Sequence, residues 1–174
     1  MAPRREDLGS WLEGGPGDQG DAPSARPSAL GLPASGPGSR ATLGRRVLAL
    51  LVDWTLSLAV AAQVFPDPTS PAPGIFAADP TGTLGVFAVS TAVLVSTLGF
   101  TIGHRLVGIR VVRVRDLAGG RGGAGDGPRA PRAPGVVAGV VRTLLLCLVI
   151  PAVVWDGEGR GMHDAAAGTV LVRR

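Results

Sequence analysis

Arg46 and Asp53 stand seven residues apart at the head of an otherwise apolar run, VLALLVDWTLSLAVAAQVF, from Val47 to Phe65. A carboxylate in such a run can hold a proton or a cation, or it can anchor a hydrogen-bonded network. At the centre of a bilayer it costs about 2.5–3.5 kcal/mol on insertion scales, so it needs a partner or a task. Seven residues of helix turn through about 700°, which puts Arg46 and Asp53 on one face, about 10 Å apart along the axis. Arg46 can reach back to water along its own stem. The candidate partners of Asp53 are Arg46, through a bent side chain or a water, and Arg142 from a later apolar segment. Three readings stay open: a buried pair that fixes helix register, an ion- or proton-handling carboxylate, and a neutralised carboxyl facing lipid.

The other reactive residue types point to less. His163-Asp164 would need a nucleophile to act as a catalytic pair, and no motif places a Ser or Cys beside it. It also offers too few ligands for a metal. The simpler expectation is that Asp164 caps a short helix, DAAAG, ended by Gly168. His104 follows the second apolar segment and is expected to anchor at the interface. Asp156 and Glu158 read as turn residues. Cys147 is the only cysteine, which rules out an intramolecular disulfide and a thiolate metal site. Gly119 to Gly127 has the glycines of a phosphate loop but not its Gly-Lys-Ser/Thr ending, so it reads as a linker. With no nucleophile–base set and no metal set, the chain is expected not to be an enzyme, and no cofactor is expected.

The elements that must position these residues are membrane-like. Of 174 residues, 45% are hydrophobic and 17% charged, and the mean hydropathy is +0.32. The apolar residues fall into three blocks. Helices are expected at about 43–65, 82–102 and 135–155. The first spans about 28 Å over its 19 apolar residues, the hydrocarbon thickness of a bilayer. The prolines at 66, 68, 71 and 73 end it. The second carries Gly99-x-x-x-Gly103, a spacing that suits close helix packing. The third is interrupted by Arg142 and followed by Pro151. Residues 1–39, rich in Gly, Pro, Ser and Ala, read as a disordered tail with one apolar spot, Gly9-Ser10-Trp11-Leu12. From Leu106 the short-period apolar/arginine alternation of Ile109, Arg110, Val111, Val112, Arg113, Val114 and Arg115 reads as a β-strand with one basic face. Residues 117–134 read as a flexible loop, and 169–172 as a second strand.

Charge sets the expected topology. The net charge is +4 and the positive side chains are all arginine. They flank the apolar runs, which marks a topology signal and not a nucleic-acid surface. Arg40, Arg45 and Arg46 precede the first helix. Arg105, Arg110, Arg113, Arg115, Arg121, Arg129 and Arg132 follow the second, and none lies in 66–81. The N-terminus and the 103–134 loop are therefore expected in the cytoplasm, with 66–81 outside. If the third segment spans, Arg160, Arg173 and Arg174 end up outside. A re-entrant third helix returns them to the cytoplasm, lifts Arg142 toward the headgroups, and lets 169–172 pair with the strand near 106–114. The expected fold class is an all-α membrane protein: two transmembrane helices, a third spanning or re-entrant helix, and a small cytoplasmic β element.

Three pieces together resemble the RDD family of small bacterial membrane proteins. Arg46-Val-Leu-Ala49-Leu-Leu-Val-Asp53-Trp54 looks like the family's R-x-x-A-x-x-x-D helix. Thr101-Ile-Gly-His-Arg105-Leu-Val-Gly108-Ile-Arg110-Val-Val is similar to its G-x-R-L-x-G-x-R-V-V segment. Gly161-Met-His163-Asp164 with Ala167-Gly168-Thr169-Val170 looks like its terminal H-D-x-x-A-G-T-V. The resemblance covers about 43–174 and makes 40–174 an RDD-like membrane domain. The opening Gly-Ser-Trp-Leu and the Gly31-Leu-Pro stretch are similar to actinobacterial members. The resemblance implies that Arg46, Asp53 and Asp164 are the family's named charges, with Arg142 and His163 as candidate partners. It implies a multi-pass protein of the bacterial inner membrane, with the lipid bilayer as its surroundings and no nucleic acid as partner. Some members are associated with cation/proton antiport. Two or three helices cannot enclose a pathway, so cation or proton handling would require a homo-oligomer or a membrane-protein partner. The other reading is a non-transporting scaffold or assembly protein whose charges are structural.

Overall fold

The computed structural model describes residues 30–33, 35–119, 133–148 and 161–174. Helix α1, Leu43–Val64, is 22 residues long, about 33 Å. A compact loop follows, with a 3-10 turn at Gly74–Ala77. Asp79 N and Asp67 N donate to the carbonyls of Phe65 and Ala77 and close its neck. Helix α2, Pro80–Leu98, begins two residues before the expected 82. Asp79 accepts from the Gly82 N–H and Pro80 fills the first turn, where its missing N–H is harmless.

Both helices are long and apolar enough to cross a membrane, and they are the only two such helices among the described residues. Their surfaces are arranged the reverse way from a soluble core helix. In α1 the buried side is made of Gly44, Ala49, Ser57 and Ala61. The bulky residues Leu48, Leu51, Val60 and Val64 face outward, as do Leu84, Val89, Val93 and Leu98 of α2. Polar residues within the helices bond to their own backbone. Thr55 and Ser57 donate to the carbonyls of Leu51 and Asp53, and Thr97 donates to that of Val93.

Helix α2 stops at Leu98, before the expected 102. Gly99 takes φ 77°, a left-handed turn that glycine enters without a Cβ clash. The chain reverses into a separate short helix, α3, Ile102–Leu106. Gly99 and Gly103 therefore do not share a helix face, and the expected GxxxG packing surface does not exist. Each glycine serves a different approach. A Cβ on Gly103 would overlap the Ala49 carbonyl oxygen of α1.

Strand β1, Ile109–Arg113, pairs antiparallel with β2, Thr169–Arg173, with Val111 opposite Leu171. This is the pairing the re-entrant arrangement was expected to allow. The expected single basic face is not formed, because β1 is only five residues long and Arg110 and Arg113 point to opposite faces. Val114–Gly119 leaves the strand as a short helix, α4. Helix α5, Val136–Cys147, has 12 residues, about 18 Å, too short to cross a bilayer. The expected continuation to 155, the break at Pro151, the loop glycines from 120 to 127 and the apolar spot at 9–12 lie outside the described residues. Helix α6, Met162–Ala166, leads through Gly168 into β2.

The sheet has more edges than two strands suggest. The Gly38 and Ala41 N–H groups donate to Arg173 and Leu171, and Arg173 N donates to Ser39. The end of the segment read from sequence as disordered is thus fastened to β2. On the far edge, Val111 N donates to the Gly99 carbonyl. One face packs Ile109, Val111 and Leu171 on Ala41, Ala49 and Val95. The other packs Val112, Val170 and Val172 under Leu30, Leu32, Val114 and Leu117. The start of α1, the end of α2 and the return from α5 therefore meet at one end of the helix pair.

Candidate functional site

Asp53 lies on α1 ten residues beyond its first residue, facing the short helix α3. Its carboxylate accepts two hydrogen bonds, from Thr101 Oγ1 at 2.5 Å and from the Gly103 N–H at 2.8 Å. It thereby satisfies an amide at the start of α3 that no intrahelical carbonyl can reach. The close seat depends on Gly103, since any side chain there would collide with Ala49 and Asp53.

Thr101 has a second role. Its Oγ1 accepts from the His104 N–H at 3.1 Å, and His104 Nδ1 accepts from the Thr101 N–H at 3.2 Å. This is a reciprocal capping box with histidine where glutamate or glutamine usually stands. Since Nδ1 accepts, the neutral ring carries its proton on Nε2. Burial, and then the charge of Arg142, pushes the His104 pKa down to about 3. His104 is a neutral structural group, not the loose interfacial anchor expected.

The second carboxylate is Asp164. It is fully buried and accepts from Arg142 Nε at 2.6 Å, with both side chains no more than 3% exposed. Thr169 Oγ1 lies 3.3 Å from both its backbone carbonyl and Oδ1. His163 Nε2 is 3.6 Å from Oδ2. Complete burial works against the charged form. The charges of Arg142, His163 and Arg46, with the Arg142 hydrogen bond, outweigh it and hold the carboxyl below its ordinary range. Asp164 does not cap α6 as expected. It sits in the first turn, Gly161 takes the cap position, and the carboxylate turns to Arg142 because an unpaired guanidinium there would be costlier than an open helix end.

The expected partnerships are thus redistributed. Arg142 pairs with Asp164, and Asp53 is held by Thr101 and Gly103 in place of a cation. Arg46 Nε donates to the Ala41 carbonyl at 3.1 Å. The groups still converge. Arg46, Asp53, His104, Arg142 and His163 line one cavity of about 110 Å³, walled by Leu43, Val47, Leu50, Phe87 and Leu146. Arg142 Nη1 and Asp164 Oδ2 have no hydrogen-bond partner among the described residues. The cavity can hold a few waters or one small polar group beside these charges. Among the described residues no set of three or more His, Cys, Asp or Glu side chains is placed to hold a metal ion.

Sequence reasoning did not find Thr101, Gly103 or Thr169. The signal for Thr101 was present: a threonine after a helix-ending glycine is a cap in waiting. Gly103 could not be found, because its task depends on Ala49 and Asp53, some fifty residues earlier. No protein-family model, curated protein or solved structure matches the chain.

Proposed function

We propose that this chain is an RDD-type, multi-pass protein of the bacterial inner membrane. Helices α1 and α2 span, α5 is re-entrant, and both the tail before α1 and the sheet are cytoplasmic. Its charged core serves as a scaffold that locks the helix pair to the sheet. The observation that carries this reading is that each Asp53 oxygen accepts a hydrogen bond from the α3 end. Both its oxygens are committed to closing α3 onto α1. Asp164 and Arg142 likewise tie α6 to α5. The outward-facing Leu and Val side chains of α1 and α2 support insertion. The arginines on the sheet side, with none in 66–81, support the orientation.

A second reading, cation or proton handling by an oligomer, is favoured by the fact that Asp53 also lines the cavity with Arg46 and Arg142. One experiment separates the two. The purified protein is reconstituted in liposomes, and ion-driven proton flux is measured for wild type and Asp53→Asn. A scaffold gives background flux in both and a lower unfolding midpoint in the variant. Flux in the wild type that the variant loses establishes transport and displaces the scaffold. A reporter fused after Arg174 tests the topology: a cytoplasmic signal is expected, and a periplasmic one overturns the re-entrant arrangement.

A further inference from the structure

At the sheet end of the helices two arginines share one aromatic ring, and a third stands beside one of them on the sheet. Arg105 and Arg174 both stack over Phe100, with their guanidinium carbons 5.9 Å and 5.0 Å from the ring centroid. The Arg174 N–H donates to the Gly108 carbonyl, so Arg174 extends β2 opposite Gly108. Arg110 lies opposite Val172. By strand alternation Arg110 and Arg174 are diagonal neighbours on the same face of the sheet. Like charges this close repel. Partial burial of Arg110, and next the charge of Arg174, weakens its hold on its proton. Among the described residues no Asp or Glu side chain pairs with any of the three. Arg105 and Arg174 are exposed. The ring offsets part of the repulsion through cation–π attraction but brings no negative charge.

The neighbours of this cluster are apolar. Ile102 and Leu106 of α3 are exposed at 52% and 70%, on the same short helix as Arg105. An arginine cluster rimmed by bare isoleucine and leucine, directly after a membrane-length helix, matches the depth where acyl chains give way to phosphates.

We infer that Arg105 and Arg174, which share Phe100, together with Arg110 beside Arg174, form a clamp for the phosphodiester of an anionic phospholipid headgroup, with Ile102 and Leu106 against its acyl chains. The inference rests on the proposed membrane insertion. It is independent of what Asp53 does. The phosphate supplies a counter-charge that no Asp or Glu side chain among the described residues gives the cluster, and guanidinium forks suit its oxygens.

The test uses the full chain in nanodiscs of pure phosphatidylcholine or of phosphatidylcholine with phosphatidylglycerol. Bound lipids are counted by native mass spectrometry after delipidation. Wild type is expected to retain phosphatidylglycerol preferentially. Arg105→Gln should reduce that preference about fivefold, the size expected for one arginine at an anionic surface, and the Arg105→Gln/Arg110→Gln/Arg174→Gln variant should abolish it. Arg105 is exposed and outside the core, so the single variant keeps the test valid if the triple variant fails to fold. Arg115→Gln, an exposed arginine away from the ring, should leave the preference intact. An unchanged preference in Arg105→Gln, or an equal loss in Arg115→Gln, overturns the clamp in favour of diffuse charge attraction. Displacement of the retained lipid by millimolar inorganic phosphate overturns the lipid assignment. Failure to enter nanodiscs at all counts against the membrane reading, and is distinguished from failure of the clamp by the absence of any retained phosphatidylcholine.

Discussion

Asp53 and Asp164, the two carboxylates turned into the described interior, are held by opposite means. Asp53, half-buried on a long helix, is met by neutral dipoles: a hydroxyl and a backbone amide. Asp164, fully buried on a five-residue helix, is met by a full positive charge. The difference follows burial. A carboxylate with part of its surface open can be held by two neutral donors. One with none needs a counter-charge, because desolvation in the interior is otherwise several kcal/mol. Asp53 is thus a hydrogen-bonded staple between α1 and α3, and Asp164 is half of an ion pair that neither partner can leave alone.

That contrast sets the order of damage. Asp164→Asn or Arg142→Leu should be the most harmful change, costing about 3–5 kcal/mol because each strands a buried charge. The chemical or thermal unfolding midpoint in detergent measures it. The double variant Arg142→Met/Asp164→Leu should recover most of the loss, and a double variant as unstable as either single would mean that the pair does more than neutralise itself. Gly103→Ala should come next, at about 1–3 kcal/mol, since the methyl group meets backbone of α1 that cannot swing away. Asp53→Asn should cost about 1 kcal/mol, because the amide oxygen still accepts from Gly103. A loss for Asp53→Asn equal to that for Asp164→Asn would erase the distinction between staple and ion pair.

The smallest effect at neutral pH should come from His104→Gln. Glutamine is the usual partner in a capping box, so the box survives. The pH profile should nevertheless change. His104 is depressed from 6.5 to about 3 in the folded protein. Below pH 6.5 the unfolded chain binds a proton that the folded one refuses. Stability is therefore full above 6.5 and falls by about 1.4 kcal/mol per pH unit down toward 3. The glutamine variant should lose that slope and hold its midpoint until the carboxylates titrate. Asp164, whose folded-state pKa is lowered, contributes stability above its ordinary 3.8 and loses it as the pH falls further. Unfolding midpoints from pH 7.5 to 4 for the two proteins check this; parallel curves would mean that His104 titrates freely.

How far the sequence reveals all this depends on the range of the forces. The two long helices are legible because hydropathy over twenty residues is a local sum. The pairing of 106–114 with 169–172 was legible only as something that a re-entrant third helix would allow; the alternation of apolar residues marked both strands, and their register lies in contacts about sixty residues apart. Asp53 and Arg142 stood out because charges in apolar runs are rare, Arg46 because it heads such a run, and Asp164, in no apolar run, through the terminal H-D motif of the resemblance. Their partners did not. The helix expected to run to 102 stops at Gly99, and that one left-handed residue turns Thr101 and Gly103 toward Asp53. A cavity lined by α1, α3, α5 and the Gly161 turn depends on distances that no local pattern encodes.

The sheet also imposes a schedule on biosynthesis. Strand β2 lies between β1 and the 38–41 segment, so the middle of the three is the last of them to leave the ribosome. Residues 38–41 and 109–113 must wait, each with an open edge, while α1, α2 and α5 are made. Closure of the sheet is then a late, long-range event with a high contact order. A ribosome stalled before residue 169 would hold both apolar helices already made but unlatched, and such a nascent chain should be digested by protease at the unpaired 38–41 edge, where the released protein resists.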